Sequence, residues 1–363
     1  MSTNREEMWL WLCSNELLYR KHIANLLEWF GSLENIWHAS SEAVNRCCIL
    51  SDSQKAALIK SRYEFDMVQY QQDLFVKGIK FISVENQEYP RRLKDIVDYP
   101  YGLFVKGSLP PEEKKAVAIV GSRKCSYYGR KTSEKIAAEL ALRGVAVISG
   151  MAAGIDGYAQ QKALETGGQS FGVLGSGVDV CYPRQHQALY QWLSKKGGII
   201  SEYPPGRAPL ALHFPIRNRI ISGLADQLLV VEAKVKSGTL ITADLAIEQG
   251  KDIFAVPGRH EDSLSGGCNR LIQQGAGIFL STDEFLEQLK ITGGNVASTK
   301  KNNISLETKE KVVYSCVDLF PKSLSEIVGS AKLPIQEVLA VLTVLVLKGY
   351  IEETMKNYYV KIE

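Results

Sequence analysis

The chain has 363 residues, of which 45% are hydrophobic, and carries a formal net charge of +3. That length and apolar content suffice for two or three domains with buried cores, and the small net charge means that any nucleic-acid-binding surface must be local. The seven cysteines include no C-x-x-C pair, which favours reduced thiols over a zinc knuckle or a disulfide framework. The start lacks a signal-peptide pattern, and no apolar run approaches the roughly 20 residues of a membrane span. We therefore expect a cytoplasmic protein without a membrane segment.

The first part of the chain has the spacing of amphipathic helices. Gly31 and the Ser-Asp-Ser stretch at 51–53 have the composition of helix ends and caps. We expect a small helical module over residues 1–75. Residues 78–111 are extended and rich in turns, and we interpret them as the beginning of the next domain.

Residues 117–289 alternate short apolar runs with amphipathic stretches of helix length. Runs that are apolar on both faces and separated by helices are typical of a parallel sheet covered on both sides. We therefore predict an α/β fold over residues 76–290, with a Rossmann-like, doubly wound, mostly parallel sheet. Turn residues end most runs, so the strand ends are expected to meet at one rim, where such sheets bind ligands. The predicted strands are VAIV from 117, VAVIS from 145, SFGVLG from 170, GIIS from 198, LLVVE from 228, DIFAVPG from 252 and GIFL from 277.

The last part of the chain begins with a polar stretch at 291–305 that is rich in Gly, Ser and Asn, which predicts a linker. Residues 306–363 offer three candidate helices. The third, at 334–348, is strongly apolar and ends at Gly349, and residues 350–360 are expected to form a hairpin. Three helices and a hairpin predict a winged-helix-like domain.

Two glycine-containing turns at the predicted rim have the composition of anion sites. Gly121-Ser122-Arg123 follows the first strand, where the Gly allows a tight turn, the Ser caps the helix and the Arg holds an anion; an ordinary capped turn is the alternative. The stretch 237–239, Ser-Gly-Thr, opens a helix after the fifth strand and offers a second cradle of backbone N–H groups. Lys234 and Lys236 lie beside it, although loop lysines are usually only solvated.

The stretch Arg217-Asn218-Arg219 is expected in the first turn of a helix at this rim. The helix dipole opposes each cation there by about 0.3–1 kcal/mol, so a bound anion is expected to offset it. The alternative is an intramolecular ion pair with Asp226 or Glu202. Phe214 lies beside this cluster and is suited to stacking against a nucleobase, an interaction worth about 1–3 kcal/mol per base. The alternative interpretation is that Phe214 belongs to the hydrophobic core. Together these cations exceed what a mononucleotide needs and indicate single-stranded nucleic acid.

Several long stretches of the chain, in this order, resemble the DprA/Smf family of DNA-processing proteins over residues 79–290. The resemblance implies a Rossmann-like core that binds single-stranded DNA, forms a homodimer, protects incoming DNA and helps load RecA onto strands coated by single-strand-binding protein, as in natural transformation. It implies no cofactor, no metal and no established catalytic turnover, and the first 75 residues resemble the family's helix-hairpin-helix-like module. The stretches are GSR, GMAAGID, GVDVCYP, FPIRNRIISGLADQLLVVEA, SGTLITADLAIEQGKDIFAVPG and SGGCNRLIQQGA.

The candidate DNA-binding residues follow from the local residue patterns and from the family resemblance. We expect Arg123→Ala or Arg217→Ala to lower oligonucleotide affinity without unfolding the protein. Three positions depart from the family pattern. Gln160 and His186 stand where relatives usually have His and Asn, and Ala211 stands where some relatives carry a Lys. The full candidate set is Gly121, Ser122, Arg123, Phe214, Arg217, Asn218, Arg219, Lys234, Ser237, Gly238 and Thr239.

Two other functions compete with a DNA-binding mediator. A phosphoribohydrolase-like enzyme has a related sheet, but it carries P-G-G-x-G-T followed by a catalytic Glu, whereas no acid follows Thr239 before Asp244. A regulator that binds DNA through the winged helix would need a polar recognition helix, and the candidate helix is mostly apolar. No Ser, Cys or His has the spacing of a nucleophile motif, so we predict a protein that is not an enzyme.

Overall fold

The computed structural model describes residues 4–291 and 306–362. These form two compact units, one of residues 4–125 and 132–291 and the other of residues 126–131 and 306–362. Apart from Ile291, the predicted linker lies outside the described residues. The division into a helical module, a sheet domain and a winged-helix-like domain stays a prediction.

Six helices come first, and short polar residues cap the starts of five of them. Asn4, Ser32, Ser40, Ser51 and Asp66 each accept a hydrogen bond from a backbone N–H of the first turn. These helices share one compact unit with the sheet that follows. Their bounds are α1 Arg5–Cys13, α2 Arg20–Phe30, α3 Leu33–His38, α4 Ser41–Arg46, α5 Asp52–Glu64 and α6 Met67–Val76.

A nine-stranded sheet forms the centre of the first unit, in the order β1-β2-β6-β5-β4-β3-β7-β8-β9. The seven predicted runs are all strands, and they pair in parallel. The two strands from the turn-rich lead-in add an antiparallel edge. The α/β fold with a mostly parallel sheet is therefore confirmed. The strands are β1 Ile79–Ser83, β2 Gly102–Gly107, β3 Ala116–Val120, β4 Ala146–Ser149, β5 Ser170–Val173, β6 Gly198–Ser201, β7 Gln227–Val230, β8 Asp252–Ala255 and β9 Gly277–Ile278.

Helices cover both faces of this sheet, which explains why the central strands β3 to β7 are buried along their whole length. Alternate residues of β3 point to opposite sides: Ala118 packs into one core and Ile119 into the other. The first core lies under α11 and α12, and the second under α8 and α9. The helices are α7 Arg91–Lys94, α8 Tyr127–Leu142, α9 Ile155–Glu165, α10 Gln187–Lys196, α11 His213–Leu224, α12 Gly238–Glu248, α13 Gly266–Gln273 and α14 Thr282–Gln288.

The strand order reverses between β3 and β7. From β3 the chain builds outward through β4, β5 and β6, and then returns to place β7 against the other side of β3. The loops after these two neighbouring strands therefore separate, and they leave a crevice at the carboxyl ends of the strands.

The second unit contains three helices and a three-stranded antiparallel sheet in the order β10-β12-β11. The apolar helix and the hairpin lie where the sequence predicts them, while the winged-helix assignment stays a prediction. Among the described residues no single helix is long and apolar enough to cross a membrane; α16 and α17 pass that test only as a pair, which is bent by 110°. The elements are α15 Thr308–Cys316, β10 Lys322–Ser323, α16 Leu324–Ala331, α17 Ile335–Leu347, β11 Ile351–Met355 and β12 Tyr358–Lys361.

Candidate nucleic-acid interface

A cleft of about 610 Å³ lies at the reversal of strand order. It is bounded by the turn after β3, the start of α9, the first half of α11 and the loop between β7 and α12. Ten of the eleven candidate residues line it, and the exception is Arg219. We call this cavity the switch-point cleft.

The turn after β3 is held in place by close contact with the start of α9. A Cβ atom on Gly121 would lie 2.6 Å from Cγ1 of Ile155, and one on Gly154 would lie 2.2 Å from the Ser122 carbonyl oxygen. Gly154 also has φ of +81°, which favours glycine. Ile155 N donates to the Ser122 oxygen at 3.2 Å. These contacts fix the backbone from which the exposed Arg123 side chain reaches the cleft.

An aromatic surface lies beside Arg123. The Phe214 ring stacks on Tyr182, with ring centroids 5.4 Å apart and planes inclined by 29°. The Arg123 guanidinium lies 5.5 Å from the Phe214 centroid, within cation–π range. Phe214 is half-buried and lines the cleft, so it is not a core position, and its stacking on a nucleobase stays a prediction.

Tyr182 was missed by the sequence reasoning. Its side chain is 44% exposed and lines the cleft together with Phe214. The available signal was an aromatic residue in a strand-end loop, directly before Pro183. Two neighbouring rings and a cation suit the stacking of a base over a backbone contact.

Arg217 reaches the floor of the cleft, where it is only 4% exposed. Its Nη1 donates to the carbonyl oxygen of Gly150 at 2.9 Å and to that of Val173. Its Nε donates to Oδ1 of Asn218 at 3.2 Å. Arg217 therefore ties α11 to the ends of β4 and β5, and most of its donors are already used.

Asp156 is the buried partner of this arginine. Its Oδ2 accepts the Gly150 N–H at 3.0 Å. Burial raises the pKa of the Asp156 carboxyl, and Arg217 opposes that rise by favouring the charged form. Burial likewise lowers the pKa of Arg217 to about 10, which leaves it charged at neutral pH. The Asp156 carboxyl and the Arg217 guanidinium therefore favour each other's charged form beneath the cleft.

The predicted position of the cationic cluster in the first helical turn is wrong. Helix α11 begins at His213, so Arg217 and Arg219 lie in its second turn. Pro215 occupies the first turn instead, where a missing N–H costs nothing. The argument from the helix dipole therefore does not apply to these two cations.

Arg219 is not in the cleft. It is 3% exposed, and its Nη2 pairs with Oε2 of Glu202 at 2.6 Å while its Nε pairs with Oδ2 of Asp98 at 2.9 Å. The alternative of an intramolecular pair is confirmed for Glu202. Asp226 pairs with Lys115 instead, at 3.0 Å.

The start of α12 forms the opposite wall of the cleft. Ser237 is its N-cap residue, yet the Ser237 hydroxyl makes no capping hydrogen bond, and it is buried without a partner among the described residues. The first N–H groups of the helix, from Gly238 and Thr239, therefore lack a side-chain cap and are available to an anion. Lys234 is exposed and lines the same wall, whereas Lys236 is exposed outside it.

A hydrogen-bonded chain fixes the start of α11. Nη2 of Arg207 donates to the Tyr19 hydroxyl at 2.7 Å, and that hydroxyl lies 3.4 Å from Nε2 of His213. Nδ1 of His213 lies 3.1 Å from the Gly175 carbonyl oxygen. This chain links the N-terminal helices to the residue directly before Phe214.

The three departures from the family pattern have different surroundings. Gln160 is fully buried, where its Oε1 accepts the Met151 N–H at 3.0 Å and its Nε2 donates to the Phe171 oxygen at 3.0 Å. Nδ1 of His186 lies 3.1 Å from the Met151 oxygen. Both side chains therefore hold the loop after β4. Ala211 is exposed at the cleft and adds no charge there.

No group of three His, Cys, Asp or Glu side chains within residues 4–291 and 306–362 is placed to hold a metal ion.

The fold and the cleft define a Rossmann-like α/β protein whose strand-end crevice presents helix N–H groups, exposed cations and aromatic rings. The family model of DNA recombination-mediator protein A matches residues 80–290. The chain belongs to this family of DNA-processing proteins.

Individual relatives agree with that assignment. The chain is 43% identical over 208 residues to DNA processing protein DprA of Streptococcus pneumoniae, covering 57% of this chain and 73% of the relative. It is 38% identical over 284 residues to Protein Smf of Escherichia coli, covering 76% of each. The crystal structure of the S. pneumoniae protein matches with a TM-score of 0.67 at 34% identity, covering 79% of this chain and 99% of that one.

A second similar structure is that of a protein whose binding of single-stranded DNA has been described. DNA processing protein A from Helicobacter pylori, described for its single-stranded DNA binding mode, matches with a TM-score of 0.52 at 29% identity. The match covers 58% of this chain and 96% of that one.

Proposed function

We propose that this protein is a non-enzymatic recombination mediator that binds single-stranded DNA in the switch-point cleft. The observation that carries the proposal is the convergence of Arg123, the Phe214–Tyr182 ring pair and the uncapped start of α12 on one crevice. A strand offers an anionic phosphate and an unpaired base at each step, and these match the two kinds of group in the cleft.

We propose a different part for each of these candidate residues, on the basis of its exposure and contacts. Arg123 and Lys234 are exposed and supply the charge that a phosphate meets. Phe214 supplies the stacking surface, and Ser237 supplies an unused hydroxyl beside the helix N–H groups. Arg217 supports the site from below, because its donors bind the backbone of the sheet.

The family resemblance alone suggests a cellular role for this binding. We propose that the protein acts in the cytoplasm as a homodimer, protects incoming single strands, and helps RecA replace single-strand-binding protein, as in natural transformation. No cofactor enters this role.

The direct test is oligonucleotide binding by Arg123→Ala, followed as fluorescence anisotropy of a labelled dT oligomer. Loss of one charge-assisted phosphate contact is expected to weaken binding about tenfold. Arg46→Ala removes an arginine that is also exposed but does not line the cleft, and it is expected to bind like the wild type. Equal affinity of the wild type, Arg123→Ala and Arg46→Ala for the oligomer would refute DNA binding in the switch-point cleft.

The mediator role needs a separate assay. RecA filament formation is measured on dT strands that are coated with single-strand-binding protein. The wild type is expected to shorten the lag, and Arg123→Ala is expected to lose that effect. A wild type that binds the strand but leaves the lag unchanged would refute RecA loading and leave DNA binding standing.

A further inference from the structure

A second cavity, of about 440 Å³, lies on the opposite side of α11 from the switch-point cleft. It is bounded by residues 13–23 of the N-terminal helices, by residues 98–102, and by the segment from Glu202 to Arg219. Leu212, Ile216 and Arg219 line it at helical spacing, whereas Phe214 and Arg217 line the cleft. We call it the α2 pocket. Its volume falls in the usual range of small-molecule sites, about 300–1,000 Å³.

The interior of the α2 pocket is aromatic and contains an unused hydrogen-bonding group. Tyr19, His22, Tyr101 and Tyr203 contribute four rings to its lining. Tyr203 is 5% exposed, and its hydroxyl is buried without a partner among the described residues. Buried hydroxyls are nearly always hydrogen-bonded, so this group calls for a partner that a ligand would supply.

The mouth of the α2 pocket is positively charged. Arg20 and Lys21 open α2 and line it. Lys21 is exposed and makes no hydrogen bond or ion pair with the described residues. Arg207 lies beside them and is 3.7 Å from its partner Glu16, which is 68% exposed. Carboxylates also line the pocket, but Arg207 pairs with Glu16, and Arg219 pairs with Asp98 and Glu202. Lys21 is therefore left to meet an anionic group at the mouth, while the interior is suited to a flat ring.

We propose that the α2 pocket binds a nucleotide, with its base among the aromatic rings and its phosphate at Lys21. A purely apolar occupant would leave the Tyr203 hydroxyl unpaired, whereas a base carries donors and acceptors on its edge. Base–aromatic stacking and a phosphate–ammonium contact then use both parts of the pocket at once. The nucleotide is either a free mononucleotide or one residue of a DNA strand.

Calorimetric titration of the full chain with ribonucleoside and deoxyribonucleoside 5′-monophosphates tests the proposal. At least one probe is expected to bind saturably. Lys21→Ala is expected to weaken it about fivefold, the effect of one exposed ion pair, and to leave the matching nucleoside unaffected. Lys60→Ala, another exposed lysine, is the matched control and is expected to change neither affinity.

Tyr203→Phe supplies an independent variant that preserves the packing. Because it removes only the unpartnered hydroxyl, the protein is expected to fold normally and to bind the nucleotide about fivefold to tenfold more weakly. The proposal is overturned if no monophosphate binds saturably, or if Lys21→Ala and Tyr203→Phe both bind as the wild type does.

The source of the nucleotide is decided by adding a dT oligomer in the Arg123→Ala background. Displacement of the bound monophosphate supports a nucleotide of a DNA strand, and retention supports a free nucleotide. Failure of oligomer binding in the wild type would refute the proposed function alone, since the monophosphate titration does not depend on the cleft.

Discussion

Replacing Arg217 by alanine tests whether this residue supports the fold or contacts the ligand. The substitution removes the cation that compensates the buried carboxylate of Asp156 and leaves the carbonyl oxygens of Gly150 and Val173 without their donor. Breaking a buried charge pair typically costs about 3–5 kcal/mol. A folded protein of this kind has only about 5–15 kcal/mol of stability, so Arg217→Ala is expected to lose a large part of it. This revises the expectation that the variant folds like the wild type.

Urea unfolding followed by tryptophan fluorescence measures this loss. Arg123→Ala is the matched control, because its side chain is exposed and surface substitutions usually change stability by less than about 0.5 kcal/mol. Adding Asp156→Asn to Arg217→Ala removes the uncompensated charge and is expected to recover part of the loss. An Arg217→Ala protein within about 1 kcal/mol of the wild type would refute the buried pair, given the cost expected for breaking one.

The stability of Arg217→Ala is expected to depend on pH more strongly than that of the wild type. Burial already raises the pKa of Asp156, and loss of Arg217 raises it further, because this arginine favours the charged carboxylate. Between the unfolded and the folded pKa the native state binds the extra proton, so its stability increases as the pH falls. The stability gap between Arg217→Ala and the wild type is therefore expected to narrow from pH 8 to pH 5. A gap that stays constant would contradict the role of Asp156.

Three further outcomes are expected. Phe214→Ala should weaken dT binding about tenfold in anisotropy titrations, whereas Phe214→Tyr keeps the ring and should bind normally; equal loss in both would exclude stacking. Arg219→Met combined with Glu202→Gln should retain wild-type dT affinity if the strand occupies the switch-point cleft alone, because this pair lies outside the cleft; a weakened complex would place the strand at the α2 pocket as well, which both residues line. Gly154→Ala should lower the thermal midpoint through a loss of about 1–3 kcal/mol, since its Cβ would meet the Ser122 oxygen; an unchanged midpoint would mean that the turn can relax.

The strands β3 to β7 were predictable because they are buried on both faces and their sequences are mostly apolar. Strands β8 and β9, at the edge of the sheet, are only partly buried, and the alternation of short apolar runs with helices predicted them. The start of α11 was not predictable, because Phe214-Pro215 has the composition of a turn. A proline is common both in turns and in the first turn of a helix, so the sequence does not distinguish a turn from a helix start here. The error shifted the cationic cluster by one helical turn.

The contacts of Arg217 and Arg219 were not predictable, because the sequence does not show which residues of other elements lie beside them. Arg217 and Arg219 have similar local surroundings, but one reaches the backbone beneath the cleft and the other reaches Glu202 on the far side of the helix. Tyr182 was equally unpredictable, because its contact with Phe214 joins two distant loops. By contrast Arg123, Ser237 and Gly238 were predictable, since each follows directly from a strand-end turn.

The salt dependence of binding tests whether a single strand occupies the switch-point cleft. Affinity for a dT oligomer and for a duplex of equal length is measured from low to high salt with the full chain. We expect a clear preference for the single strand and a linear fall of log affinity with log salt, with each phosphate contact contributing about 0.7 to the slope. Arg123→Ala and Lys234→Ala are each expected to reduce the slope by about that amount. Equal affinity for duplex, or a slope that neither substitution changes, would contradict a strand bound in the switch-point cleft.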